Sequence, residues 1–261
     1  MRVQISDEGS NQTSFSAWEK VTDGVPQGSV FGPLLFLIHV NDLPKTINDK
    51  TVPIRFVDDT SIIVKSSNSK DFQTNMVTAF NCVNKWFKVN LLSINVEKTH
   101  HIQFKTKNKF KLDINIACDD NLITTVPKIK FFGIYIHDSI NWSCHIEYII
   151  PKLSSSCYVM RSIRPFMSPN TLKTVYYSYF NAIKSYGLPF WGNSPQAIKL
   201  FRMQKRIIRI MMGCKKRVSC SNLFKRLEML PFISQYILSL MLFVIKNKIF
   251  FYFEINLRAA I

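Results

Sequence analysis

The sequence predicts an α+β fold, with sheet and packed helices in residues 1–140 and an almost wholly helical part in residues 141–261. Three observations carry that prediction. Short β-type apolar runs alternate with one or two helical stretches before residue 140, and after it apolar residues recur every three or four positions. A hydrophobic content of 47% with only 8 Gly is that of a packed chain.

Taken in order, Gly32–Pro33 followed by LLFLIHVNDL reads as a short, deeply buried helix, with Pro33 tolerated in its first turn. IRFV and SIIVK flank Asp58–Asp59 and read as two strands of a hairpin. Phe72, Met76, Ala79, Phe80, Val83, Trp86 and Phe87 then fall at helical spacing, so an amphipathic helix capped at or near Ser69 should pack on a sheet. Short strands are expected at HIQFK, KLDINI and KFFGIYI. Helices are expected over 141–164, 169–186, 195–213 and 219–249, the last broken at Pro231. Pro165, Pro169, Gly187 to Pro189 and Gly213 punctuate them. Leu230 to Ile245 is apolar but short of the ~20 residues a membrane span needs. It contains Ser234, Gln235 and Ser239 and reads as a buried helix.

With 34 Lys and Arg against 17 Asp and Glu, the net charge of +17 points to a polyanionic partner, because each cation set against a phosphate releases counterions. One face of the 195–213 helix gathers Lys199, Arg202, Lys205, Arg206 and Arg209. Six scattered cysteines with no CxxC pair indicate neither a zinc ribbon nor a disulfide framework. Reduced thiols and a polar N-terminus without a signal core suit an intracellular protein of nucleus or cytoplasm, not a secreted or membrane protein.

Two adjacent aspartates at the tip of an apolar hairpin repel unless a cation compensates them, and Mg²⁺ is the hard cation that carboxylates and phosphates share. An ordinary Asp-rich turn is the plain alternative. Side chains alternate along a strand, so one of Asp58 and Asp59 is the direct ligand and the other supports it. Two-metal phosphoryl transfer calls for at least one further carboxylate.

GVPQGSVFGPLLFLIHVNDLP (Gly24–Pro44), FVDD (Phe56–Asp59), LLSINVEKT (Leu91–Thr99) and FFGIYI (Phe131–Ile136) follow one another with fitting gaps. In that order they resemble the second half of the palm of non-LTR (LINE-like, jockey-type) retrotransposon reverse transcriptases. HDSINWSCHI, RPFMSPNTLKTVYYSYF, YGLPFWG and LFRMQKRIIRIMMG continue the resemblance into a thumb-like region. It implies an RNA-directed DNA polymerase that binds RNA template, DNA primer or RNA–DNA hybrid, and dNTP. It also implies two-metal Mg²⁺ chemistry. Asp58 falls on the family's metal-binding aspartate and Asp59 on its paired acid. Gln27 and Gly28 fall on the segment beside template and nucleotide, with Gly permitting close backbone approach. Lys98 falls where a cation would steady the nucleotide phosphates, or is a solvated strand-edge lysine. Gly133 falls in a primer-grip-like turn, with Phe131 and Phe132 as contacts or core. Val57 replaces the small residue usual before the paired acids, beside the nucleotide or primer end.

The family's first metal-binding aspartate lies well upstream of PQG. Asp7, Glu8 and Asp23 do not sit in a hydrophobic strand of that kind. The resemblance therefore implies that the fingers and one carboxylate ligand are missing, and that this chain is inactive alone. The alternatives are a non-catalytic basic nucleic-acid-binding remnant, a membrane-surface protein using Leu230–Phe253, and a decayed reading frame whose product does not fold stably.

Overall fold

The computed structural model describes residues 4–6, 13–18, 20, 24, 28–47, 51–57, 59–66, 68–104, 114–118 and 121–248. In chain order its elements are strands β1 (Gln4–Ser6) and β2 (Thr13–Phe15), helix α1 (Gly32–His39), strands β3 (Thr51–Phe56) and β4 (Asp59–Val64), and helix α2 (Ser69–Val89). Strands β5 (His100–His101), β6 (Ile116–Cys118), β7 (Asn121–Thr125), β8 (Lys128–Phe131) and β9 (Ile134–His137) follow. The helical part comprises α3 (Ser143–Ile163), α4 (Pro169–Val175), a π-helical stretch Tyr176–Asn181, α5 (Ala182–Ser185), α6 (Leu188–Trp191), α7 (Ala197–Met212), α8 (Ser221–Leu227) and α9 (Phe232–Lys246). Strands and packed helices thus precede a helical region, the α+β class expected. The chain forms two compact units, one of residues 1–99 with 112–123 and the other of residues 100–111 with 124–261.

In the first unit, α2 forms where the apolar spacing predicts it. Asn68 rather than Ser69 is its cap, its side-chain oxygen accepting from Lys70 N at 3.2 Å. Ala79, Val83 and Trp86 of α2 are buried with Val40, Leu43 and Ile47, and Ile62 and Val64 of β4 pack on that cluster. Phe72, Met76 and Phe80, from the first half of the helix, cover Ile114, Ile116, Cys118 and Ile123. Strand β6 pairs with Asn121–Ile123 of β7 as a hairpin, Ile116 opposite Ile123. The β7 run NLITT carries no strand signal of its own, because Asn and Thr dilute its apolar alternation.

Helix α1 overturns an expectation. None of its residues is buried: Leu34, Leu35, Leu37 and Ile38 are exposed, and Phe36 alone reaches the core of its unit. An all-round apolar helix shows that much surface is to be covered, but within one unit only one side of a helix can meet the core.

In the second unit α3 and α7 pack side by side. Ile146, Ile149, Leu153, Cys157 and Met160 from α3 meet Leu200, Ile207, Ile208 and Met211 from α7, with Tyr176, Phe180 and Trp191 filling the centre. Gly213 ends α7 in the left-handed conformation (φ 66°), the usual glycine stop. Helix α9 docks through Phe232 and Tyr236 but leaves Ile237, Leu238, Met241, Leu242 and Val244 exposed, so the Leu230–Ile245 stretch is not the buried helix its composition suggested. Among the described residues no single helix is long and apolar enough to cross a membrane; α8 and α9 pass that test only together, bent by 54°.

KFFGIYI is a hairpin rather than one strand. β8 and β9 pair antiparallel with Phe131 opposite Ile134, and Phe132 (φ 45°) and Gly133 (φ 79°) make the two-residue turn. Positive φ at both turn positions matches the right-handed strand twist. All six cysteines are free thiols.

Candidate active site

The β3–β4 hairpin positions the acidic turn. Its register pairs Thr51 with Val64, Pro53 with Ile62 and Arg55 with Thr60 on the face that meets α2, since Ile62 and Val64 belong to that core. Val52 with Ile63, Ile54 with Ser61 and Phe56 with Asp59 make the opposite face, where Val52, Phe56, Asp59 and Ile63 are exposed. Arg55 donates through Nη1 to the Val40 carbonyl at the C-terminus of α1, where a cation meets the negative end of the helix dipole. The hairpin is thereby tied to α1 at one end and to α2 along its length.

Phe56 pairs with Asp59, so two residues join the strands. Val57 is one, with φ 55°. Asp58 lies outside the described residues, as does Gln27. The apolar run IRFV predicts a strand position for Val57, but it is a turn residue. A β-branched side chain in the left-handed region is an outlier, because Cβ crowds the following carbonyl oxygen. It is the position where the resemblance expects a smaller residue, and the turn geometry gives that preference a physical reason. Asp59 begins β4 with its carboxylate exposed on the open face.

The other expected site residues of this unit are distributed around it. Gly28 takes φ 85°, and a Cβ there would meet nothing within 4 Å, so its demand is conformational rather than steric. Lys98 is exposed in a turn held by Asn95, whose side chain accepts from Lys98 N at 3.1 Å and whose carbonyl accepts from Thr99 Oγ1 at 2.7 Å. Leu92, Ile94 and Val96 just before it point into the two cores, so the turn is anchored while the ammonium stays in solvent. Among the described residues no group of three or more His, Cys, Asp or Glu side chains converges on a point.

Phe131 and Gly133 belong to the second unit. The Phe131 and Phe132 rings meet tilted by 37°, with centroids 4.1 Å apart. The turn is fixed by Tyr186, whose hydroxyl donates to the Phe132 carbonyl at 2.6 Å and whose ring would lie 3.3 Å from a Cβ on Gly133. Gly133 is therefore required twice, for its φ and for the ring beside it.

On α7 the five cations divide by role. Lys199, Arg202 and Arg206 are exposed, whereas Lys205 rests over the Phe201 ring at 4.2 Å and Arg209 donates to the Val218 carbonyl at 2.8 Å, holding the loop after the helix. The charge is also broader than one helix. Residues 141–248 hold 17 of the 34 Lys and Arg but only two of the 17 acids, Glu147 and Glu228. Arg161 of α3 and Arg206 of α7 both act on Cys157, though burial outweighs them and pushes its thiol up to about 11. Arg164 lies directly over Gly213. The sequence signal for these additional cations was the segment's near-total lack of acids, which a whole-chain net charge conceals.

The profile of the family described as reverse transcriptase (RNA-dependent DNA polymerase) matches residues 9–136. That span contains the acidic hairpin, the Gly28 segment, Lys98 and the β8–β9 turn. The chain is also 24% identical over 225 residues to the probable RNA-directed DNA polymerase from transposon X-element of Drosophila melanogaster. The reverse transcriptase family, of the non-LTR retrotransposon kind, is thereby supported. The X-element match covers 83% of this chain and 25% of that protein. The RNA-directed DNA polymerase from mobile element jockey of the same organism is 23% identical over 209 residues, covering 76% of this chain and 23% of its own length. The Pol polyprotein from type-1 retrotransposable element R1 of Bradysia coprophila is 21% identical over 211 residues, 78% of this chain and 21% of its own. These reverse-transcriptase alignments are longer than the segment 9–136, so the likeness extends into the helical part. The chain spans about a quarter of the length of the curated relatives it matches. No solved structure matches it significantly.

Proposed function

We propose that this chain is part of an RNA-directed DNA polymerase of a non-LTR retrotransposon, supplying the acidic hairpin of the palm and a thumb-like helical region. The observation that carries the reading is the register that makes Asp59 the first residue of β4, on the face of the ribbon turned away from the α2 core. A carboxylate carried there stands on a stiff support and remains open to a large substrate. Asp58 and Asp59 would hold Mg²⁺ against the phosphates of an incoming dNTP. The metal, when bound, supplies charge neutralisation for in-line attack by a primer 3′-hydroxyl. Two-metal transfer calls for at least one further carboxylate beside these two.

Around that centre, Gln27 and Gly28 would border template and nucleotide, Val57 the primer end, and Lys98 the phosphates. Phe131 and Gly133 would border the primer. In the helical part Lys199, Arg202 and Arg206 would contact the backbone of template or hybrid directly, with Lys205 and Arg209 contributing field more than contact.

A second reading, a basic nucleic-acid-binding remnant without catalysis, is favoured by the concentration of cations in residues 141–248. Primer extension on a homopolymer RNA template with Mg²⁺ or Mn²⁺, run beside hybrid-binding titrations, separates the two. Binding that weakens linearly in log–log form with salt supports both readings. Extension lost in Asp58→Ala would establish catalysis and defeat the second reading. Undetectable or salt-insensitive binding would defeat both.

A further inference from the structure

The β8–β9 hairpin has an apolar face of Ile129, Phe131, Ile134 and Ile136 and an opposite face of Lys128, Lys130, Tyr135 and His137, because Lys130 pairs with Tyr135 and Lys128 with His137. Tyr148 of α3 stands on that second face. Its ring meets Tyr135 edge-on at 4.9 Å between centroids. Two ammonium groups converge on it from different elements: Lys152 Nζ, one helical turn along α3, lies 4.1 Å from the ring centroid and 2.7 Å from the hydroxyl, and Lys130 Nζ of β8 lies 5.5 Å from the centroid.

Two like charges gathered on one ring are the basic counterpart of the paired aspartates, and cost energy unless an anion offsets them. Among the described residues neither lysine has a carboxylate partner. Asp138, the acid nearest in sequence on the hairpin side, pairs with His137 at 2.8 Å, and Glu147, next to Tyr148 on α3, is exposed without a described ion pair. The unneutralised field is felt by neighbouring groups. The hydrogen bond from Lys152, with the charges of Lys130 and Lys152, draws the Tyr148 phenol below its usual range. Burial, assisted by Lys152, keeps His145 below its usual range, so it adds no competing charge at neutral pH.

We infer that Lys130, Lys152 and the Tyr148 hydroxyl form a phosphate-binding site, and that its ligand is the sugar–phosphate backbone of a bound nucleic acid strand. Tyr148 acts as the platform that holds both ammonium groups on one side of the hairpin, and Lys128 extends the same strip. Both lysines reach toward the Tyr148 hydroxyl, and their remaining N–H donors are available to phosphate oxygens. The site lies on the face of the hairpin opposite Phe131, so it is distinct from the aromatic contact that the sequence suggested. This inference rests on the nucleic-acid reading above and deepens it.

The test is fluorescence anisotropy of a labelled RNA–DNA hybrid with the full 261-residue chain, across a salt series. Lys130→Gln/Lys152→Gln is compared with wild type and with Lys246→Gln/Lys248→Gln, which removes the same charge elsewhere on the unit. All four lysines are exposed, so these variants keep the fold, checked by far-UV circular dichroism. Each phosphate contact contributes about 0.9 to the slope of log K against log salt, so the site variant is expected to lose roughly 1.8 from it and the control much less. Tyr148→Phe, which keeps the platform, should retain most of the slope, whereas Tyr148→Ala should lose it as the double variant does. A slope unchanged in the site variant, or changed equally in the control, overturns the inference while leaving the nucleic-acid reading intact. No binding by wild type defeats that reading itself. Inorganic triphosphate is titrated in parallel: binding of triphosphate that depends on Lys130 and Lys152, with the hybrid slope unaffected, would assign the site to a free nucleotide and overturn the backbone assignment.

Discussion

Lys184 is fully buried in the helical unit and carries the sharpest energetic prediction. Its Nζ lies 3.4 Å from the Tyr176 hydroxyl, which also accepts from Gln204 Nε2 at 2.9 Å. No ion pair to it exists among the described residues. Hydrogen-bond accounting favours a neutral amine. If Lys184 were an ammonium, Tyr176 would receive two donors and its own O–H would lack an acceptor. A neutral Nζ instead accepts that O–H, completing a chain from Gln204 through Tyr176 to Lys184. Burial pushes the lysine down to about 7 from an ordinary 10.5. A base whose folded value is depressed opposes folding below that value, and the lost stability returns as pH climbs from about 7 towards 10.5. At 1.36 kcal/mol per unit the total is on the order of 5 kcal/mol, of which roughly 1.5 to 2 kcal/mol should return between pH 7 and 8.5. That is a rise of roughly 3 to 8 °C in Tm for a chain of this size. The window avoids His145, whose lowered value places its titration further down, and most of Cys157, whose raised thiol costs stability only above pH 9. Thermal unfolding followed by far-UV circular dichroism at pH 7 and 8.5 measures it, with Lys184→Met/Tyr176→Phe as comparison. This double variant removes the amine and the hydroxyl that would lose its partner. It should abolish the rise and stabilise the unit at pH 7. An equal rise in the variant, or none in wild type, refutes the neutral-lysine reasoning.

Val57→Asn should stabilise the β3–β4 ribbon by about 1 kcal/mol in urea unfolding, because Asn tolerates positive φ and valine does not; a loss of stability would contradict the turn geometry. Gly133→Ala should destabilise by about 1–3 kcal/mol, since the added Cβ meets both an unfavourable φ and the Tyr186 ring, and Tyr186→Phe should cost about 1 kcal/mol through the freed Phe132 carbonyl. Leu35→Gln on the exposed side of α1 should change stability by less than about 0.5 kcal/mol, whereas Leu43→Ala in the core beneath should cost roughly 2–5 kcal/mol. A large loss at Leu35 would show α1 to be buried after all.

The elements that the sequence revealed best are those whose pattern is local. The 3–4-residue spacing from Phe72 to Phe87 marks α2, and Pro169, Gly187, Gly213 and Pro231 mark real helix boundaries because each blocks or redirects the backbone at its own position. The acidic turn is legible for the same reason: strongly apolar flanks leave Asp58–Asp59 as the reversal, although the register moves it by one, with Val57 in the turn and Asp59 in β4. What composition hid is tertiary. α1 and α9 are apolar enough to be core, and their exposure follows from what packs beside them, which no local pattern records. The β8–β9 reversal is marked by the resemblance, which puts Gly133 in a turn, but not by the apolar pattern, because nothing in the Phe132 side chain announces its positive φ. Lys130, Tyr148 and Lys152 lie up to 22 positions apart in sequence, and only the packing of α3 on the hairpin gathers them. Of the cations on α7, periodicity gave the face but not the difference between Arg202, free in solvent, and Arg209, engaged with Val218.

Metal binding at the acidic turn is the step on which the proposed chemistry stands. Electron paramagnetic resonance of Mn²⁺, titrated into the chain with a primed RNA template and a dNTP present, measures it directly. Wild type should immobilise Mn²⁺, and Asp58→Asn and Asp59→Asn should each weaken that binding without altering the far-UV spectrum. Equal Mn²⁺ binding by wild type and by the double variant Asp58→Asn/Asp59→Asn would show that the hairpin carboxylates hold no metal, and the polymerase reading of this site would fall.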